Sequence, residues 1–329
     1  MNSIALWWDK KNECKEISPK VHLDINIWLS KNEKLNSIEF GLKIDDFFAI
    51  ESIHLFLPFF CEYSDFNDKV VELSKNAKLT NALFNKKMTI SNDEGIFHKV
   101  TGPDGKTFHY CNINEEDITF SIINCENIKR GSQISISPKN KPKEKVNTVY
   151  YRFRITKLDK ILKTISENNF IIDGFFKKMN FIEFNINTIR KLPPTIVEKV
   201  FDDYEFKSMN LFLITDMFND FLFQSKKLKA SRILENPIWN EYIGHNQLYD
   251  EMIAYHWKED KFTDYSLFLK TSHIKRNYWL FILMILFTII LGCIGGLGGN
   301  YITTKIFNNF QIESINETQN TEEVSNENK

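Results

Sequence analysis

Apolar and polar residues alternate without a break from Val21 to Leu29, with Val21, Leu23, Ile25, Ile27 and Leu29 on one face and His22, Asp24, Asn26 and Trp28 on the other. A period of two puts every second side chain on the same side of an extended chain, so this is a strand with one buried face. Ile38 to Ile44 repeats the pattern after a polar connection, and the two predict an antiparallel pair. Ile53 to Leu57 is apolar on both faces and closed by Pro58, which predicts a more central strand. From Asp65 the spacing becomes helical: Phe66, Val70, Leu73 and Ala77 share one side of a helix capped by Ser64 or Asp65.

Strand patterns resume at Ile96–Val100 and Lys106–Tyr110, joined as a hairpin by Thr101-Gly102-Pro103-Asp104-Gly105, where Pro sets one dihedral and Gly105 permits a positive φ. Ile118–Ile123, Gln133–Ile136 and Val149–Ile155 follow, the last with Val149, Tyr151, Phe153 and Ile155 inward and Tyr150, Arg152 and Arg154 outward. Leu158, Ile161, Leu162 and Ile165 predict a short amphipathic helix, and Phe181–Asn187 a further strand. Leu192-Pro193-Pro194 interrupts regular structure. Beyond it, Met209–Ile214 reads as a buried strand, Gln224–Glu235 and Pro237–Ile243 as helices, and Leu248, Met252 and Tyr255 as one more helical stripe.

One segment has no polar face at all. From Tyr278 to Gly299 the chain reads YWLFILMILFTIILGCIGGLGG, and no charge stands between Arg276 and Lys305. The 28 residues from 277 to 304 rise about 42 Å as a helix, enough to cross a bilayer with its headgroups. Lys270, Lys275 and Arg276 precede the span and only Lys305 closely follows it, so the positive-inside bias places the N-terminal part in the cytoplasm and the tail outside an inner membrane. Ile4–Trp8 has neither a basic region before it nor a small-residue cleavage site after it, so no signal peptide is expected. Gly292 with Gly296, and Gly295 with Gly299, are small-xxx-small pairs that predict self-association in the bilayer, with a glycine-rich helix end as the plainer alternative.

The predicted architecture is therefore α+β and β-rich: an antiparallel, sandwich-like cytoplasmic domain with added helices over residues 1–275, one C-terminal transmembrane helix over residues 278–299, and a disordered acidic tail over residues 306–329. A composition shift near residues 137–147 is a candidate internal boundary, and a single domain with an extruded loop is the alternative. Composition changes this picture little. The 29 Phe imply a well-filled core or a large apolar contact surface, and five cysteines without CxxC spacing suit free thiols.

Charge adds one candidate site. Lys129 to Lys163 carries eleven Lys and Arg against Glu144 and Asp159, a local charge of +9 in a chain whose net charge is −1. Lys139, Lys141, Lys143 and Lys145, with Tyr150, Arg152 and Arg154 on one strand face, form a basic patch for a phosphorylated ligand, nucleic acid or anionic lipid headgroups. A solvated loop beside a charged strand edge has the same composition.

Catalytic signals are weak. His109 and Cys111 are not placed as a nucleophile and base, His245, Glu251 and His256 lack the spacing of a zinc helix, and no GxxxxGK, GxSxG or GxGxxG occurs. No catalytic residue, cofactor or metal centre is therefore expected. The expected function is that of a single-pass, non-enzymatic membrane effector or sensor, for which a bacterial antiviral response is a fitting setting. The bilayer, further copies of the chain and a protein are its expected partners. A membrane-tethered hydrolase or nuclease with an Asp/His site, and a plain scaffold, are the alternatives.

Overall fold

The computed structural model describes residues 3–29, 36–92, 97–124, 130–139, 146–156, 177–200, 204–216, 219–234, 236–243, 252–274 and 278–326. The first half contains strands β1 (Ala5–Lys10), β2 (Lys20–Trp28), β3 (Ser37–Asp45), β4 (Ile50–Leu57) and the short β5 (Phe66–Asp68). Helices α1 (Val70–Lys75) and α2 (Ala77–Phe84) come next. Strands β6 (Thr89–Asn92), β7 (Phe97–Thr101), β8 (Thr107–Cys111), β9 (Ile118–Ile123), β10 (Gly131–Ile136) and β11 (Thr148–Ile155) complete it. The second half runs through β12 (Lys177–Ile186), α3 (Pro194–Val200), β13 (Phe206–Asp216), β14 (Asn219–Gln224) and β15 (Ala230–Ile233). It ends with α4 (Asn236–Ile243), β16 (Met252–Phe262), β17 (Tyr265–Ile274) and α5 (Tyr278–Asn326).

The strands pair into three sheets. A four-stranded sheet has the order β1-β4-β10-β9, a three-stranded one the order β12-β17-β14, and the large sheet the order β15-β16-β13-β2-β3-β11-β8-β7-β6, with β5 also on β11. The expected β2–β3 pair is antiparallel, as is the β7–β8 hairpin, whose Gly105 has φ +74°. β4 is central in its sheet, as its two apolar faces predict. The large sheet is not purely antiparallel: β13 lies parallel to β2, and β8 to β11. These strands are far apart in sequence, which leaves room for the crossover a parallel pair needs.

One hydrophobic cluster draws on all three sheets, with Leu23, Ile25, Phe40, Tyr151, Phe153 and Leu211 from the large sheet, Leu55 and Ile134 from the four-stranded sheet, and Phe184 and Leu267 from the third. A second cluster lies on the other face of the large sheet, where α1, α2 and α4 bring Val70, Leu73, Leu79, Trp239 and Tyr242 against Trp28, Tyr110, Tyr150 and Ala254.

Three local expectations are corrected. The helix predicted from Asp65 is interrupted: Phe66 is in a strand, and Asn76 ends α1 and caps α2 by accepting from the Leu79 amide at 3.1 Å. Gln224–Glu235 is not a helix but holds β15, and the stripe at Met252 and Tyr255 is the start of β16. Met252 and Ala254 of β16 join the cluster under the helices while Tyr255 and Trp257 on the opposite face join the main core, so both faces are covered and strict alternation is lost. The helix predicted at Leu158–Ile165 lies outside the described residues.

The strands and short helices form one compact unit, to which both strands flanking residues 137–147 belong, and α5 belongs to a second. Within α5, Ile282–Asn309 is long and apolar enough to cross a membrane, with a mean hydropathy of 2.3 and none of its most apolar stretch buried. The hydroxyls of Thr288, Thr303 and Thr304 each donate to a carbonyl four residues back at 2.7–2.9 Å, which suits a hydrocarbon surrounding. α5 continues to Asn326, through residues that composition predicts as an unstructured tail. Each residue added to a helix gains its own backbone bond, so a nucleated span can propagate without a tertiary partner.

Candidate functional site

The polar face of the large sheet is assembled by register. Arg152 lies opposite Gly41 on β3, Gly41 opposite Asp24 on β2, and Asp24 beside Asn210 on β13. The next row runs Arg154, Glu39, Asn26, Phe212 and His256 across β11, β3, β2, β13 and β16. Both rows lie opposite the main core and under the short helices.

Glu39 is the hub of this layer. Its Oε2 accepts from Arg152 Nη2 at 2.6 Å and Nε at 3.1 Å, and its Oε1 accepts from Arg154 Nη2 at 2.7 Å and Nε at 2.9 Å. The Tyr242 hydroxyl donates to Glu39 Oε2 at 3.0 Å and accepts from Arg152 Nε at 2.9 Å. Arg152 Nη1 donates to the Tyr150 hydroxyl at 3.0 Å. With its amide oriented so that both ends are satisfied, Asn26 accepts from Arg152 Nη2 at 2.6 Å. Burial pushes the Glu39 carboxyl up, but the two guanidinium groups outweigh it and bring it to about 2. Lys69 adds a third buried cation, donating to Glu72 and to the Tyr242 carbonyl. Gly41 makes the arrangement possible, since a Cβ there would stand 2.3 Å from the Tyr150 hydroxyl and 3.0 Å from Arg152 Nη1.

These positions correct the sequence expectation of an exposed basic strand face. Tyr150 and Arg152 are fully buried and Arg154 is 7% exposed, because α1, α2 and α4 cover that face. Lys139 is exposed and its backbone N–H donates to Asp117 at 2.8 Å. Lys141, Lys143 and Lys145 lie outside the described residues. Gly292, Gly295, Gly296 and Gly299 are all in α5, each with open space where a side chain would project.

Beside the buried layer is a cavity of about 390 Å³. Arg152, Asn26 and Asp24 form one part of its lining, Asn210 and His256 another, and Phe84 and Phe212 contribute aromatic surface. Lys229 and Arg232 add two cations to the lining, while the charge of Arg152 is already balanced by Glu39. Asn210 bridges the polar floor, donating to Asp24 Oδ1 at 2.8 Å and facing His256 Nε2 through its oxygen at 3.0 Å. The His256 ring stacks on Phe212 with 4.3 Å between centroids. Burial, then the charges of Lys229, Lys258 and Arg232, bring His256 down to about 4, so it is neutral at pH 7. Burial pushes the Asp24 carboxyl up, against the Asn210 hydrogen bond and the Arg152 charge.

The arrangement is suited to binding: aromatic surface for a flat or apolar group, hydrogen-bonding groups at Asn26, Asn210 and His256, and the positive charges of Lys229 and Arg232 for an anion. Of these residues the sequence singles out only Arg152. Glu39 and Asp24 sit on the polar sides of recognisably alternating strands, but no local signal pairs Glu39 with an arginine 113 positions away. Among the described residues no group of three or more His, Cys, Asp or Glu side chains is placed to hold a metal ion. No family model matches this chain and no curated protein is similar to it.

Proposed function

We propose that this protein is a single-pass membrane-anchored sensor or effector whose strand-rich unit, sandwich-like and on the cytoplasmic side, binds a small phosphate-bearing ligand in the cavity beside Arg152. The observation that carries this is a partly aromatic cavity lined by the cations Lys229 and Arg232. A small ligand is favoured over a nucleic-acid strand or a membrane surface because Tyr150, Arg152 and Arg154 are covered by helices. The anchor is α5, and self-association through Gly292, Gly295, Gly296 and Gly299 turns ligand capture into a change in the membrane, as a component of a bacterial antiviral response would require.

Full-length protein in detergent, screened by thermal shift and calorimetry against mononucleotides, cyclic dinucleotides and sugar phosphates, tests the ligand. Binding that weakens at least about tenfold in Lys229→Ala and Arg232→Ala, and that falls with added salt, is expected. Absence of binding across the panel, or binding indifferent to both substitutions, refutes it. Changing the four glycines to Leu meets no steric obstacle within the chain. That variant is expected to lose crosslinked oligomers and any depolarisation of induced cells.

A further inference from the structure

The four-stranded sheet carries a second polar constellation, on the face turned away from the main core. A period of two places Asp9 of β1, Ser52 and His54 of β4, and Ser135 of β10 on that face. Register does the rest: Ser135 is directly opposite His54, and Asp9 opposite Ser52. His54 Nδ1 is 2.8 Å from Ser135 Oγ, and His54 Nε2 is 2.9 Å from Asp9 Oδ2. The ring is held in place by Ser52, which lies 2.8 Å from Nε2 and donates to Asp9, and by Trp7, stacked at 5.2 Å.

We propose that these residues form a nucleophilic site for acyl transfer, with Ser135 as nucleophile, His54 as general base and Asp9 as positioning residue, acting on small acyl esters or thioesters. The carboxylate accepts the proton on Nε2, which leaves the Nδ1 lone pair directed at the Ser135 hydroxyl; this is the tautomer a base-activated serine needs. His54 keeps 12% of its side-chain surface exposed, so the pair is reachable. Gln133 Nε2 donates to Ser135 Oγ at 3.1 Å, and its amide oxygen is held by Lys199 Nζ at 3.2 Å. The same Gln133 Nε2 lies 3.3 Å from His54 Nδ1, so the amide braces the serine and the ring together.

In the reaction, Ser135 Oγ bonds to the acyl carbon as its proton passes to His54 Nδ1. His54 returns that proton to the departing alcohol or thiolate as the C–O or C–S bond breaks. Water, deprotonated by His54, then attacks the acyl-serine, releasing the carboxylic acid and restoring the Ser135 hydroxyl. The proposal does not rest on the ligand cavity, which lies on a different sheet.

The test is labelling of the full-length protein in detergent by a fluorophosphonate probe, with peptide mapping and hydrolysis of p-nitrophenyl acetate. The probe is expected on Ser135, with labelling and hydrolysis lost in Ser135→Ala and slowed about 100-fold or more in His54→Gln. Asp9→Asn is expected to slow labelling and to lower kcat for p-nitrophenyl acetate with KM unchanged, because the ring is no longer held in the tautomer that directs Nδ1 at Ser135. A wild-type chain that melts cooperatively but takes no probe, a probe mapped to a different serine, or a rate unchanged in His54→Gln would overturn the proposal. The labelled position is read in the wild-type chain and so does not depend on any variant folding.

Discussion

Replacing Glu39 by Gln keeps the shape of the side chain and removes only its charge, so it isolates what the buried carboxylate contributes. Arg152 and Glu39 have no exposed side-chain surface and Arg154 has 9%. The Glu39 carboxyl stands at about 2 against an ordinary 4.5, a difference of about 2.5, which at 1.36 kcal/mol per unit is about 3 kcal/mol in favour of the charged form. Breaking a buried ion pair by removing one partner costs about 3–5 kcal/mol, so two independent routes agree. The expected loss for Glu39→Gln is therefore about 3 kcal/mol, or roughly 6–12 °C in melting temperature for a unit of this size. Because the folded-state value is lowered, this contribution is complete above pH 4.5 and is lost as pH falls through about 2. The gap between wild type and variant should narrow over that interval. Urea unfolding of the full chain in detergent, followed by Trp fluorescence, measures it. Glu259→Gln is the control, since its side chain is 34% exposed and that of its partner Lys226 41%, and should cost less than about 1 kcal/mol. A Glu39→Gln loss no larger than the control would refute the reasoning.

Gly41→Ala should destabilise by about 1–3 kcal/mol, because its new methyl must displace the packed Tyr150 hydroxyl; calorimetric melting reads this directly. Tyr242→Phe keeps the ring under Lys69 and Arg154 but deletes the hydroxyl between Arg152 and Glu39, with an expected cost of about 1–3 kcal/mol by urea unfolding. Two groups tilt the stability–pH profile in opposite senses. His256, lowered to about 4 from 6.5, costs stability as pH falls through that interval, whereas Asp68, raised to about 6 from 3.8, chiefly by burial, costs stability as pH rises through its own. His256→Gln should therefore make stability fall more steeply with rising pH between 4 and 6, and Asp68→Asn should make it climb; melting temperatures measured at half-unit steps of pH distinguish the two.

Local periodicity determined much of this protein. The alternation at Val21–Leu29, Ile38–Ile44 and Val149–Ile155, the glycine and proline of the Thr101–Gly105 turn, and the uncharged run before Lys305 each express a preference of a few consecutive residues, and each appears in the structure as β2, β3, β11, a hairpin and the apolar part of α5. Periodicity failed where burial on two faces erased it: Met252 of β16 packs under the helices and Tyr255 against the main core, and together they mimic a helical stripe. Only the tertiary structure decided what covers the polar faces. A strand pattern says which side chains point the same way, not whether water or a helix meets them, so Arg152 and Arg154 look solvent-facing until α1, α2 and α4 close over them. The same limit hid both polar constellations. Glu39 with Arg152, Asp24 with Asn210, and Asp9 with His54 and Ser135 are joined by the register of strands remote in sequence. Register is set by how whole faces pack, which no short stretch of residues encodes.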